Sequence, residues 1–225
     1  MLVVRMEEAQ EALVILLASG SPRRREFLRA LSLPFEARTA SVDETPLPGE
    51  APPETASRLS RAKAEAVAGD APGRWVVGAD TVVVLEGEAL GKPRDPSDAA
   101  CMLRRLAGRS HSVYSAVTVL APDGRSATEL ACARVTMRAY TDAEIQRYVA
   151  TGDPMDKAGA YAIQNPEFAP VAHIGGCYAN VMGLPLCHLA RALQLLGYPL
   201  RVDVPAVCRS HTGFDCTYYS ELAGT

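Results

Sequence analysis

The chain has 225 residues, enough for one large domain or two small lobes around a real core. Apolar residues make up 48%, charged residues 22%, and the net charge is -3, so there is no global basic field for nucleic acid and any anion site must be local. No apolar run is long enough to span a bilayer and no signal-peptide pattern opens the chain, so the expected location is cytoplasmic, with neither membrane nor nucleic acid as a partner.

In chain order, residues 1–12 read as a polar leader, 13–197 as the folded body, and 198–225 as a tail without strong periodicity. Leu13 to Leu17 is an apolar run expected to form a buried strand. Ala18-Ser19-Gly20-Ser21-Pro22-Arg23-Arg24-Arg25 follows, with Ser21 where an N-cap belongs and Pro22 at the first helical position. Three arginines in a first helical turn oppose the helix dipole. A local rule broken this plainly points to a site. Ser19, Gly20 and Ser21 offer hydroxyls, N–H groups and close approach, and the arginines offer planar forks, a set that suits a polyphosphate.

Phe35 to Ser41 is expected as a second strand. Asp43 and Glu44 then precede a proline-rich loop and can hold a divalent cation if the fold brings them to the phosphate site. Glu54 to Ala68 reads as a helix packed through Ala56, Leu59, Ala62 and Ala66, with Lys63 beside that face. Trp75 to Leu85 is the clearest strand, apolar on both faces and therefore central. Asp80 interrupts it. A bare carboxylate is costly to bury, so Asp80 is read as functional. Glu86 to Glu88 is a turn, and Lys92 a point charge for a phosphate outside any P-loop pattern.

Asp95 or Ser97 caps a helix to Ala107. His111–Leu120 and Thr128–Met137 read as a hairpin, and Thr141 with Glu144 as a capping box. Asp156 to Gln164 carries Lys157 and Gln164; a glutamine can read a nucleobase edge, though spacing alone leaves a plain polar loop equally open. Val171 to Ile174 is a short strand. Pro185 is expected to start the last helix, ending at Gly197, with Leu186, Leu189 and Leu195 in the core and His188 at the surface. Six scattered cysteines have no zinc-hook spacing and are read as reduced, buried thiols; Cys208, His211 and Cys216 lack a fourth ligand. Alternating strands and helices followed by a hairpin give an α/β fold with a mixed sheet.

The motifs Ser19 to Arg24, Asp43-Glu44, Ala62 to Ala64, Gly78 to Thr81, Gly91 to Pro93, Asp156 to Gln164 and Asn180 to Pro185, in that order, resemble the Maf family. The resemblance implies a two-lobed α/β fold with a mixed twisted sheet and a central cleft, related to the inosine triphosphate pyrophosphatases, and a homodimer. It implies a nucleoside triphosphate pyrophosphatase that splits its substrate into monophosphate and pyrophosphate with Mg²⁺ or Mn²⁺. The Lys157 to Gln164 stretch looks like the branch acting on dTTP and UTP. The family pattern makes Asp80 the proton acceptor and puts Arg23, Thr81 and Gln164 on substrate-selection positions. Asn165, Cys177 and Ser115-Ala116 depart from it.

The expected mechanism has Ser19, Ser21, Arg23 and Arg24 at the triphosphate, and Lys63, Lys92 and Lys157 neutralising charge. Glu44 and Asp80 hold the metal, and one of them activates water. The alternatives are a pyrophosphatase for modified nucleotides such as 7-methyl-GTP, and a nucleotide-binding regulator of septum formation.

Overall fold

The computed structural model describes residues 13–216. The leader expected over 1–12 and the end of the expected tail, 217–225, lie outside the described residues.

Two crossovers build the first half. Strand β1 (Ile15–Ala18) leads through α1 (Pro22–Ala30) to β2 (Phe35–Ala37), and α2 (Pro52–Gly69) leads on to β3 (Trp75–Leu85). Both β2 and β3 pair with β1 in parallel, as helical crossovers require. The rest of the sheet is antiparallel. Strand β4 (Glu88–Leu90) folds back on β3 through Glu86 and Gly87, both at positive φ. After α3 (Pro96–Leu106), β5 (Ser110–Leu120) and β6 (Ser126–Met137) form the long hairpin. Helix α4 (Asp142–Ala150), β7 (Val171–Gly176) and the short α5 (Tyr178–Val181) follow, giving the order β2-β1-β3-β5-β6-β7 with β4 beside β3. The expected α/β class with a mixed sheet and β3 at its centre is what the chain forms.

Alternation along β3 decides what the sheet supports. Trp75, Val77 and Ala79 face a core shared with α1, α6 (Leu186–Leu195) and α7 (Val204–Thr212). Val76 faces the other side, under Ala64 and Val67 of α2. Farther along, Val83 and Leu85 enter a second core with Leu103 and Leu106 of α3 and Ile145 and Tyr148 of α4. Asp80, at the middle of the strand, shares the Val76 face and meets Lys63 of α2.

Gly78 sets how closely α2 approaches. A Cβ there would lie 2.2 Å from the Ser60 carbonyl and 2.7 Å from the Ala64 nitrogen. Only glycine permits this approach, and Ser60 seals the contact with a 2.8 Å hydroxyl hydrogen bond to Thr118 on β5. Lys63 is thereby carried over Asp80.

Several expectations are corrected. Strand β2 stops at Ala37; the chain then leaves the sheet and Thr39, Ala40 and Glu44 line a cleft. The buried face of α2 runs through Thr55, Ala56, Leu59, Ser60, Ala64 and Val67, while Ala66 is exposed, because Gly78 draws Ala64 to the strand. The helix expected from Pro185 to Gly197 forms over Leu186–Leu195, but it is not the last: α7 follows, burying Val204 and Cys208. Since α6 is packed between the sheet and α7, His188 is buried at 2% exposure, whereas Leu195 is 63% exposed. Cys101 and Cys132 are exposed rather than buried, and all six cysteines are free.

Candidate active site

The first turn of α1, the β2–α2 loop, the middle of β3, the segment after β4 and the turn before β7 meet around one cleft of about 500 Å³. That is ample for a nucleotide-sized ligand. Ser19, Ser21, Arg23, Arg24, Glu44, Lys63, Asp80, Thr81, Lys92, Lys157 and Gln164 all line it. Residues scattered over nearly 150 positions of sequence are therefore brought to one place. Arg25, third in the arginine run, does not line it.

At its floor, Asp80 is 8% exposed. Lys63 Nζ donates to Asp80 Oδ1 at 2.6 Å and pairs with Glu44 Oε1, also at 2.6 Å. Burial pushes the Asp80 carboxyl pKa above its ordinary value; Lys63 and Arg24 pull it down without overcoming that, and Glu44 adds to the rise. Glu44 goes the other way. Partial burial works against its charged form, but the Lys63 hydrogen bond, the Lys63 charge and the charges of Lys92 and Arg24 outweigh it and hold the pKa low. The two acids are thus unequal: one is the better base, the other a settled anion.

The two arginines are also unequal. Arg24 spends its fork inside the protein. Its Nε donates to the Gly183 carbonyl at 2.8 Å, one terminal nitrogen to Ser19 Oγ at 3.1 Å and the other to Thr81 Oγ1 at 3.3 Å. Burial lowers its pKa, opposed by the Asp80 charge. Arg23 has only a loose pairing, 3.9 Å from Asp156. Ser21 stands at the N-cap position without a side-chain cap; its N–H donates instead to Ser19 Oγ at 3.2 Å. The first turn of α1 lines the cleft, and there the Arg23 and Arg24 N–H groups have no acceptor within the helix.

Lys157 is buried, and its ammonium meets the Asp153 carbonyl at 2.5 Å, Asp153 Oδ1 at 2.9 Å and Asp156 Oδ1 at 2.6 Å. Those three acceptors match its three N–H donors. Lys92 and Gln164 are exposed at the cleft. Gly159 at φ 71°, tight against Val83, turns the chain between Lys157 and Gln164.

The motif reading missed the supports. Thr81 Oγ1 shares a 2.8 Å hydrogen bond with Ser115, whose hydroxyl donates to the Asn180 carbonyl at 2.8 Å. Asn180 in turn donates to the Val113 carbonyl. Ser115, a departure from the family pattern, is thus the link between Thr81 and the turn at Asn180. Cys177 accepts from the Asn180 N–H, as a capping residue does. Asn165 binds Asp153 and accepts from the Glu167 and Phe168 N–H groups, pinning the turn. Glu50 also lines the cleft, but the Arg58 fork takes it at 2.6 and 2.8 Å and lowers its pKa to about 2. The only sequence signals for these were polar residues at buried or glycine-flanked positions.

Fold and cleft together define the class: an α/β protein with a small-molecule cleft suited to a multiply charged anion. The family model described as Maf-like protein matches residues 14–196, and the chain belongs to the Maf family. A relative from Pelotomaculum thermopropionicum, named dTTP/UTP pyrophosphatase, is 50% identical over 82% of this chain and 97% of its own length. Relatives of the same name from Geobacter sulfurreducens and Anaeromyxobacter dehalogenans are 48% and 49% identical, over 81% and 85% of this chain and 96% and 98% of theirs. Among solved structures, the Staphylococcus aureus Ham1 protein is similar with a TM-score of 0.42 and 16% identity, over 81% of this chain and 95% of that one.

Proposed function

We propose that this chain hydrolyses dTTP and UTP to the nucleoside monophosphate and pyrophosphate. The observation that carries the reading is the buried Asp80 carboxylate, raised in pKa and seated under Lys63 in a cleft that also holds Arg23 and Lys92. The names of relatives at 48–50% identity support the same substrates.

In this reading water attacks the α-phosphorus. A new bond forms from the water oxygen, the bond to the bridging oxygen breaks, and the water proton passes to Asp80. Arg23, the N–H groups at the start of α1 and the Ser19 and Ser21 hydroxyls hold phosphate oxygens. Lys63 and Lys92 face the charge that grows on departing pyrophosphate. Lys157, with its donors occupied by Asp153 and Asp156, holds the 153–157 turn at the cleft rather than neutralising phosphate charge. Arg24 orients Thr81 and Gly183 rather than the phosphate. Gln164 offers one donor and one acceptor to the N3–H and O4 edge that thymine and uracil share.

Glu44 and Asp80 fit a divalent cation: both are hard oxygen ligands and both already converge on one cation at 2.6 Å. Mg²⁺ sites of this kind use one or two carboxylates and complete their shell with substrate phosphates. Mg²⁺ or Mn²⁺ bound there would supply charge neutralisation at the phosphate oxygens. A homodimer in the cytoplasm, without nucleic acid, completes the proposal; the net charge of -3 supports the last point. Among the described residues no helix is long and apolar enough to cross a membrane.

A panel of dTTP, UTP, dCTP, ITP and 7-methyl-GTP, with products identified, tests the reading. Monophosphate and pyrophosphate from dTTP and UTP, with slower turnover of the rest, are expected. Preference for 7-methyl-GTP moves the chain to the modified-nucleotide reading; binding without turnover moves it to a regulatory one.

A further inference from the structure

The contact at the cleft floor is more specific than a base and a nearby positive charge require. One ammonium stands 2.6 Å from an oxygen of Glu44 and 2.6 Å from an oxygen of Asp80, on two segments far apart in sequence. The Lys63 side chain is only 12% exposed, and Gly78 fixes its helix against the strand that bears Asp80. A divalent ion bridging the same oxygens would need a position about 2.1 Å from each. The ammonium already takes that place, and two cations cannot share it, because like charges that close in a partly buried site repel strongly. Lysine is the residue for such a role: a compact charge on a flexible stem, able to turn away when another anion arrives.

We propose that Lys63 is a built-in cation that competes with a divalent metal for Glu44 and Asp80. The inference rests on the nucleotide reading above. A metal entering alone must break two charge-assisted contacts and strand the ammonium. A triphosphate gives the ammonium a new partner, frees the two carboxylates, and so draws metal and nucleotide in together. Coupling of this kind is reciprocal, each ligand tightening the other. If Lys63 were only a strut between α2 and β3, its removal would leave metal affinity unchanged or lower.

The test is Mn²⁺ titration, read by electron paramagnetic resonance, of nucleotide-free wild type, Lys63→Met and Lys63→Arg. Lys63→Met is expected to bind Mn²⁺ about tenfold or more tightly than wild type, and Lys63→Arg to stay near wild type. Equal or weaker binding by Lys63→Met overturns the proposal. So does an absence of Mn²⁺ binding by all three proteins while wild type hydrolyses dTTP, a result that leaves the pyrophosphatase reading standing. A second measurement needs no variant: reductive methylation of Lys63 in wild type, followed by mass spectrometry. Added Mg²⁺ is expected to raise labelling of Lys63 as the ammonium is displaced; unchanged or reduced labelling overturns the proposal.

Discussion

Arg23 and Arg24 are neighbours with opposite employments, and substitution separates them. Arg24 joins Gly183, Ser19 and Thr81 through three hydrogen bonds, so Arg24→Ala strands their acceptors and should lower stability by about 2 kcal/mol or more. Arg23 touches only Asp156, loosely. Arg23→Ala should leave the melting temperature near wild type and raise KM for dTTP instead. Thermal melts with steady-state kinetics on both variants check this; a stable Arg24→Ala with a raised KM would give the phosphate role to Arg24. The sequence made both arginines visible, because charge in a first helical turn is anomalous. It did not show which one faces outward, since Gly183 lies 159 positions away from Arg24. Lys157 was equally visible as a charge, while its capture by Asp153 and Asp156 depends on the tight 3₁₀ turn between them.

At the scale of elements, the joint between α2 and β3 positions the chemistry. Gly78→Ala would place a methyl 2.2 Å from the Ser60 carbonyl and force the helix off the strand. A cost of about 3 kcal/mol or more is expected by urea denaturation, with loss of turnover as Lys63 leaves Asp80. Near wild-type stability would mean that the joint is looser than the packing implies. The strand was legible from its unbroken apolar run. The helix was legible too, but its face was not: alanines at many positions leave the buried stripe undecided until a partner surface selects it. Helix α7 escaped notice because its buried residues within the helix, Val204 and Cys208, make only one helical repeat.

Across the whole molecule, two buried histidines link stability to pH. Burial lowers the His111 pKa to about 4, and burial, then the Arg191 charge, lowers that of His188 to about 4. His111 Nε2 shares a 2.8 Å hydrogen bond with Tyr161. Unfolded histidine titrates near pH 6.5, so the unfolded chain takes up protons first. Their contribution is therefore present above about pH 6.5 and is lost as pH falls toward 4. The melting temperature should drop between pH 7.5 and pH 5, above the range of the depressed carboxylates Glu50 and Glu144. His188→Gln should flatten the profile; a profile that is flat already in wild type would show that these rings are protonated within the fold. The same overall architecture buries one face of β3 in two cores and turns Asp80 to the other face, under α2 at the cleft floor, where a carboxylate can be both desolvated and reached. Replacing that carboxylate by its neutral isostere removes the base and keeps the shape. Pyrophosphate release from dTTP by Asp80→Asn should fall about 100-fold or more, with a melting temperature equal to or above wild type. Near wild-type release by a folded Asp80→Asn would contradict the account.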